Sequence, residues 1–319
     1  MRDRPSGRAD AADILIDVAT RHYLHGDSQL EIARDLRVDP STVSRYLKRA
    51  RDEGIVHVEI VAPRRLQSDV GLRLARALGL GRAVVVELRG PGDDPLAAVA
   101  AAAAQFVSGQ LRSGARVGIG WGETLAAVVA HLEPGVVEAL SVAPLAGGLA
   151  EGRPGIQGQE LVRRLTENYP HSRATYLNAP SIVDSPAIRD AFLADGSVQA
   201  ALAVAASSQL ALVGIGDMSP DATLFRASHI TNLDREALLA SGAVGSMNAR
   251  FCNADGKPVG HLDGRTVALQ WKELAAIPMV VAVAAGVAKA AAIRGAARSG
   301  CVDVLVTDQV TAERLLADG

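Results

Sequence analysis

Residues 28–51 read SQLEIARDLRVDPSTVSRYLKRAR, two short helical patterns on either side of one tight turn. In the first pattern Leu30, Ile32, Ala33 and Leu36 are apolar at helical spacing, and Val38 stands alone between the two. Asp39-Pro40-Ser41-Thr42 opens the second pattern, with Pro40 suited to a first helical turn, where its missing N–H has no partner to lose. Val43 and Leu47 face inward there, while Ser41, Thr42, Ser44, Arg45, Lys48 and Arg49 fall largely on the opposite face. A short helix packed across another, with hydroxyls and cations outward, fits a helix-turn-helix. On duplex DNA the hydroxyls would donate to phosphates or base edges, Arg45 would reach a guanine edge, and Lys48 and Arg49 the backbone. The plainer alternative is a helical hairpin with a solvated basic face.

Outward from this pair, residues 11–25 place Ile14, Leu15, Val18, Ala19 and Tyr23 on one face, the pattern of a packing helix. After Gly54, residues 55–61 (IVHVEIV) alternate as a strand, a wing beside DNA or a brace for the helices. Pro63-Arg64-Arg65 marks a boundary, and a helical stretch runs to Gly79. The expected organisation is a DNA-binding domain over 1–62, a linker helix over 63–80, and a second domain over 81–319.

From Arg82 onward strands and helices alternate. Strands are expected at 83–88, 116–120, 140–144, 175–177, 210–215, 247–251, 267–269, 278–283 and 304–307. Helices are expected at 95–111, 123–132, 159–169, 186–195, 197–206, 235–241, 287–299 and 311–317. Repeated βα units imply an α/β fold, an open parallel sheet covered on both faces and joined to an all-α, winged helix-turn-helix domain. A chain of 319 residues suits two domains. A net charge of −2 argues against indiscriminate coating of nucleic acid and confines any DNA affinity to a local patch. Cys252 and Cys301 are far apart and have no metal-ligand spacing, which suggests a reducing compartment. The start, MRDRPSGRAD, lacks the apolar core of a signal peptide, and apolar windows are too short or too interrupted to span a bilayer, so a soluble cytoplasmic protein is expected.

Three glycine-rich turns stand where such a sheet places ligands, at the carboxyl ends of its strands. The first is Gly118-Ile119-Gly120-Trp121-Gly122-Glu123-Thr124, the second Ala146-Gly147-Gly148, the third Ala285-Gly286-Val287-Ala288-Lys289. Glycines let backbone approach an anion, and free amides at a helix start point toward it. Lys289 in a first helical turn opposes the helix dipole unless an anion is near. An anionic small molecule, most simply a phosphorylated one, is the expected ligand. The spacing matches neither a dinucleotide fingerprint nor a Walker loop, and no cofactor is expected.

In this order the motifs QLEIARDLRVDPSTVSRYLKRARDEGIVHVEI, VGIGWGETL, APLAGGL, NAP at 178–180, LVGIGDM, GAVGSMNARFCNADGKPV and IPMVVAVAAGVAKAAAIRGAARSGCVDVLVTDQVTA resemble the SorC/DeoR-type family of bacterial transcriptional regulators over nearly the whole chain from about residue 11. The resemblance implies an N-terminal helix-turn-helix with a sugar-binding domain, and a Rossmann-like effector domain resembling glucosamine-6-phosphate deaminase and ribose-phosphate isomerase. It also implies a homotetramer and a sugar or sugar-phosphate effector. Carried over, Gly120, Gly122, Glu123 and Thr124 would form one effector loop, Gly147 and Gly148 would line the sugar, and Lys289 would meet a phosphate. Trp121 could wall the sugar. Two positions depart from the pattern: Ser246 where an acidic residue is usual, and Ala285 where a glycine is usual. Asp308 suits a helix cap. His229 and His261 lie in loops of the second domain.

The expected function is a regulator of a carbohydrate operon, a DNA-binding homo-oligomer (dimer or tetramer) controlled by a sugar or sugar phosphate. The alternative from another class is a sugar-phosphate isomerase or deaminase with a DNA-binding appendage. Such an enzyme needs a positioned general base, and Ser246 weakens that reading. A constitutive DNA-binding protein whose second domain only oligomerises is a third reading.

Overall fold

The computed structural model describes residues 9–23, 27–56, 68–88, 90, 92, 94–134, 136–150 and 154–318. The chain divides into two compact units, 1–64 and 65–319.

The first unit holds α1 (Ala9–Tyr23), α2 (Gln29–Leu36) and α3 (Pro40–Asp52). Ser28 caps α2 in a capping box: Glu31 N–H donates to its Oγ at 3.3 Å, and Ser28 N–H donates to Glu31 Oε2 at 2.8 Å. The hydrogen bonds from the Ser28 hydroxyl and N–H hold the Glu31 carboxyl below the usual range. Arg37, left-handed at φ 52°, ends α2 and starts the turn. Asp39 then caps α3, its Oδ1 accepting from Ser41 N–H at 3.0 Å, with Pro40 in the first turn. Val18, Ile32, Ala33, Val43 and Leu47 close one core, and Leu15, Ala19 and Ala50 another. Arg21 of α1 ties α1 to α2 and to the segment before it, meeting Asp35 of α2 at 2.6 Å and Asp27 at 2.8 Å. The strand expected over 55–61 lies outside the described residues from 57 onward. Ile55 and Val56 are not in a strand.

Ten strands form one sheet in the second unit among the described residues. They are β1 (Arg82–Val86), β2 (Arg116–Ile119), β3 (Ser141–Pro144), β4 (Arg173–Ala174), β5 (Leu210–Gly216), β6 (Ala243–Met247), β7 (Arg250–Asn253), β8 (Pro258–Val259), β9 (Val280–Val283) and β10 (Val304–Asp308). The order β1-β10-β9-β5-β2-β3-β4 is parallel throughout. Alternate residues feed opposite cores: Val84, Val281 and Val283 pack with Val99, Phe106, Leu125 and Leu161 on one face. Ala83, Val280 and Ala282 pack with Leu74, Leu145, Ile293 and Leu315 on the other. Burial on both faces explains why these strands read as continuous apolar runs. Each fully buried leucine of this kind contributes about 1.5–3 kcal/mol.

Four sequence expectations are corrected. α4 (Asp69–Leu78), expected within a linker, belongs to the second unit, where Leu74 is fully buried in the core. The strand expected over 247–251 straddles a turn. β6 and β7 form an antiparallel hairpin, with Met247 paired to Arg250 around Asn248 (φ 54°) and Ala249 (φ 58°), the two left-handed residues of a type I′ turn. The strand expected at 175–177 is instead the short β4, and 267–269 makes only an isolated bridge, Ala268 to Ala146.

Candidate functional site

The two units present different surfaces. On α3, Ser41, Ser44, Arg45, Lys48 and Arg49 are exposed and Thr42 is half-buried, opposite the buried Val43, Leu47 and Ala50. Arg45 Nη2 donates to Thr42 Oγ1 at 3.0 Å, which orients the guanidinium along the outer face. Arg49 pairs with Glu53 at 2.7 Å across one turn. All six residues expected to read DNA therefore share one side of one helix.

The second unit encloses a cavity of about 430 Å³, within the range of small-molecule sites. It lies at the carboxyl ends of β2, β5 and β9, beyond Gly120, Gly216 and Ala285. Ile119 leads out of β2, and Gly122 takes φ 116°, a conformation that favours glycine, before α6 (Glu123–Ala130) begins. No side chain caps α6, so its first amides lack a side-chain partner, and Glu123 and Thr124 of this first turn line the cavity. The start of α5 (Pro95–Gln110), which runs between β1 and β2, adds one wall with its cap Asp94. The segment after β5 brings Asp217, Asp221, Leu224 and Arg226, and the β6–β7 hairpin brings Ser246 and Asn248.

Seven of the nine residues expected to bind the effector line this cavity: Gly120, Trp121, Gly122, Glu123, Thr124, Ser246 and Lys289. Gly147 and Gly148 do not. Their amides are spent on backbone, Gly147 N–H to Val267 O at 2.9 Å and Gly148 N–H to Ala179 O at 2.8 Å. Gly147 is glycine because a Cβ there would stand 2.5 Å from the carbonyls of Ala179 and Pro180. Its link to the cavity is indirect: its carbonyl accepts from Trp121 Nε1 at 3.1 Å and sets the indole against the wall.

Lys289 ends a short 3-10 turn, Val287–Lys289, before the helix Ala290–Arg298. Burial lowers its pKa from the ordinary lysine value, opposed by Asp217 and then Glu123. Arg226 Nη2 sits 3.1 Å from Glu123 Oε1. Asp217 Oδ1 accepts from Ser219 N–H at 2.8 Å. In the third glycine turn, Gly286 N–H donates to Asp308 Oδ2 at 2.8 Å. Asp308 also caps the last helix, Gln309–Ala317, through Thr311 N–H at 2.8 Å. Ser246 is buried at 6 % exposure beside Gly216. His229 and His261 are not among the lining residues.

The sequence reading missed Asp94, Asp221, Arg226 and Asn248. Asp94, Asp221 and Asn248 stand in loops or turns and Arg226 in the five-residue helix Thr223–Ala227, none of which offers enough periodicity to mark a side chain as facing a cavity. Among the described residues no cluster of His, Cys, Asp and Glu could hold a metal ion, and no helix is long and apolar enough to cross a membrane.

A sugar-binding domain family, Sugar-bind, matches residues 65–317. The erythritol catabolism regulatory protein EryD of Brucella abortus (strain 2308) is 30 % identical over 97 % of this chain and 98 % of its own length. The deoxyribonucleoside regulator of Bacillus subtilis (strain 168) is 27 % identical over 96 % of this chain and 97 % of its own. The crystal structure of the full-length sorbitol operon regulator SorC from Klebsiella pneumoniae superposes with a TM-score of 0.72 at 24 % identity, covering 95 % of this chain and 98 % of that one.

Proposed function

Because the chain belongs to the SorC/DeoR-type family of transcriptional regulators with a sugar-binding domain, we propose that it is a DNA-binding regulator of a carbohydrate operon whose operator affinity is set by a sugar or sugar-phosphate effector. Its relatives are regulators and not enzymes, which sets aside the isomerase or deaminase reading. Residues 1–62 would carry the DNA contact, and 81–319 the effector and the dimer or tetramer contact. Working on DNA, such a protein acts in the cytoplasm of a bacterium.

The observation that carries this reading is the pairing, in one chain, of an outward hydroxyl-and-cation face on α3 with a 430 Å³ cavity at the strand ends of a parallel sheet. Ser41, Thr42, Ser44, Arg45, Lys48 and Arg49 would meet DNA in the major groove. Gly120, Trp121, Gly122, Glu123, Thr124, Ser246 and Lys289 would meet the effector. The test is anisotropy of the full chain on DNA from its own promoter region, titrated with sorbitol, erythritol, ribose, 2-deoxyribose and their phosphate esters. One of them should shift the operator midpoint, and Lys289→Ala should weaken that shift. A protein that binds this DNA identically with every compound present would be a constitutive binder and not a sugar-controlled one.

A further inference from the structure

Resting on the sugar-effector reading, we propose that the ligand is an uncharged polyol or sugar and not its phosphate ester. Two of the positive elements that could hold a phosphate are already paired with a carboxylate of the chain, and carboxylates outnumber cations around the cavity. Glu123 occupies the first position of α6, where an anion complements the helix dipole, and the same carboxylate holds Arg226 at 3.1 Å. The Gly286 amide is taken by Asp308 at 2.8 Å. Lys289 lines the same cavity as Asp217 and Glu123, and both carboxylates favour its charged form. Asp94 and Asp221 line the same cavity and raise its carboxylates to four against two cations.

A phosphate dianion there would have to take Arg226 from Glu123 and share a half-enclosed space with four carboxylates. At an effective dielectric below that of water, such repulsion is strong. Hydroxyl groups meet no such barrier. They donate to the carboxylates, which only accept, and accept from Lys289, from Thr124 and from the uncapped amides of α6. Asp217 suits this role, since Ser219 N–H occupies only its Oδ1. Trp121, Ile215 and Leu224 supply apolar wall for the carbon skeleton. The anionic ligand expected from the glycine turns and Lys289 is thus disfavoured by acidic groups that lie mostly outside those motifs.

Calorimetric titration of the full chain tests this with sorbitol, erythritol, ribose and 2-deoxyribose, each against its terminal phosphate ester. The tightest binder should be a neutral compound, exceeding its ester by about tenfold or more. Its Kd should change by less than about twofold between roughly 50 and 500 mM NaCl, because no net charge is screened. In Glu123→Gln, which releases Arg226 and removes one carboxylate, the ester-to-parent affinity ratio should rise by about tenfold. An ester that binds wild type more tightly than its parent overturns the proposal and leaves the sugar-effector reading standing. A ratio unmoved by Glu123→Gln also overturns it. If no compound in the panel binds, the sugar-effector reading falls and the proposal falls with it.

Discussion

The outer face of α3 and the cavity of the second unit use the same cations to opposite effect. On α3, Arg45 and Lys48 stand exposed, and Glu53 answers Arg49 at the far end of the helix. In the cavity, Arg226 and Lys289 are outnumbered by carboxylates. An uncompensated cationic face attracts a polyanion over a distance and selects little by itself. A compensated cavity attracts nothing over a distance and selects by the placement of donors and acceptors. The difference teaches that lysines and arginines count toward a phosphate only after the carboxylates around them have been counted.

Salt should separate the two regions most sharply. Operator affinity should fall by about three to five orders of magnitude between roughly 50 and 200 mM salt if six to ten phosphates are neutralised. Sugar affinity over that range should hardly move. Parallel salt titrations of DNA and sugar binding measure both, and equal slopes would erase the contrast.

The next effect is structural. Leu47, 3 % exposed, anchors α3, and Leu47→Ala should cost the first unit about 2–5 kcal/mol. Both tryptophans, Trp121 and Trp271, lie in the second unit. Urea unfolding followed by tryptophan emission should therefore keep its midpoint while operator binding is lost at a lower urea concentration. A shifted emission midpoint would show the second unit depending on the first.

Arg45→Ala should cost about 1–3 kcal/mol on the operator and relax preference at one base pair, if this guanidinium reads a guanine. Competition assays against single-base operator variants would show it. Equal losses on operator and random DNA would make Arg45 a backbone contact. The smallest effect is a gain. Glu53→Gln releases Arg49 and should tighten binding to any duplex by about 0.2–1 kcal/mol, the usual worth of an exposed ion pair. Weaker binding in that variant would mean that Glu53 positions Arg49 for DNA.

The helix-turn-helix was legible because its signals are local. Asp39-Pro40 states where α3 starts, and Val43 and Leu47 state which side is buried. The parallel strands were legible because two-sided burial demands unbroken apolar runs, as in Val280–Val283. The β6–β7 hairpin was not. Its turn residues, Asn248 and Ala249, lack the glycine that usually marks two left-handed positions. Gly147 misled for the opposite reason: it is glycine to let Ala179 and Pro180 approach, and its sequence looks the same as that of a ligand loop. The cavity's electrostatic sign was hidden because Asp94, Asp217 and Asp221 join Glu123 only through the fold.

Asp308 sits 2 % exposed and receives three hydrogen bonds, from the Gly286 amide at 2.8 Å, the Thr311 amide at 2.8 Å and the Thr311 hydroxyl at 2.7 Å. One carboxylate thereby fastens a cavity loop and the start of the last helix. Displacing that carboxylate would free both amides at once. The exchange of Gly286 and Thr311 should then follow a common opening event, and a ligand seated against Gly286 would slow both amides together. The protection of a residue outside the cavity lining becomes a gauge of occupancy within it.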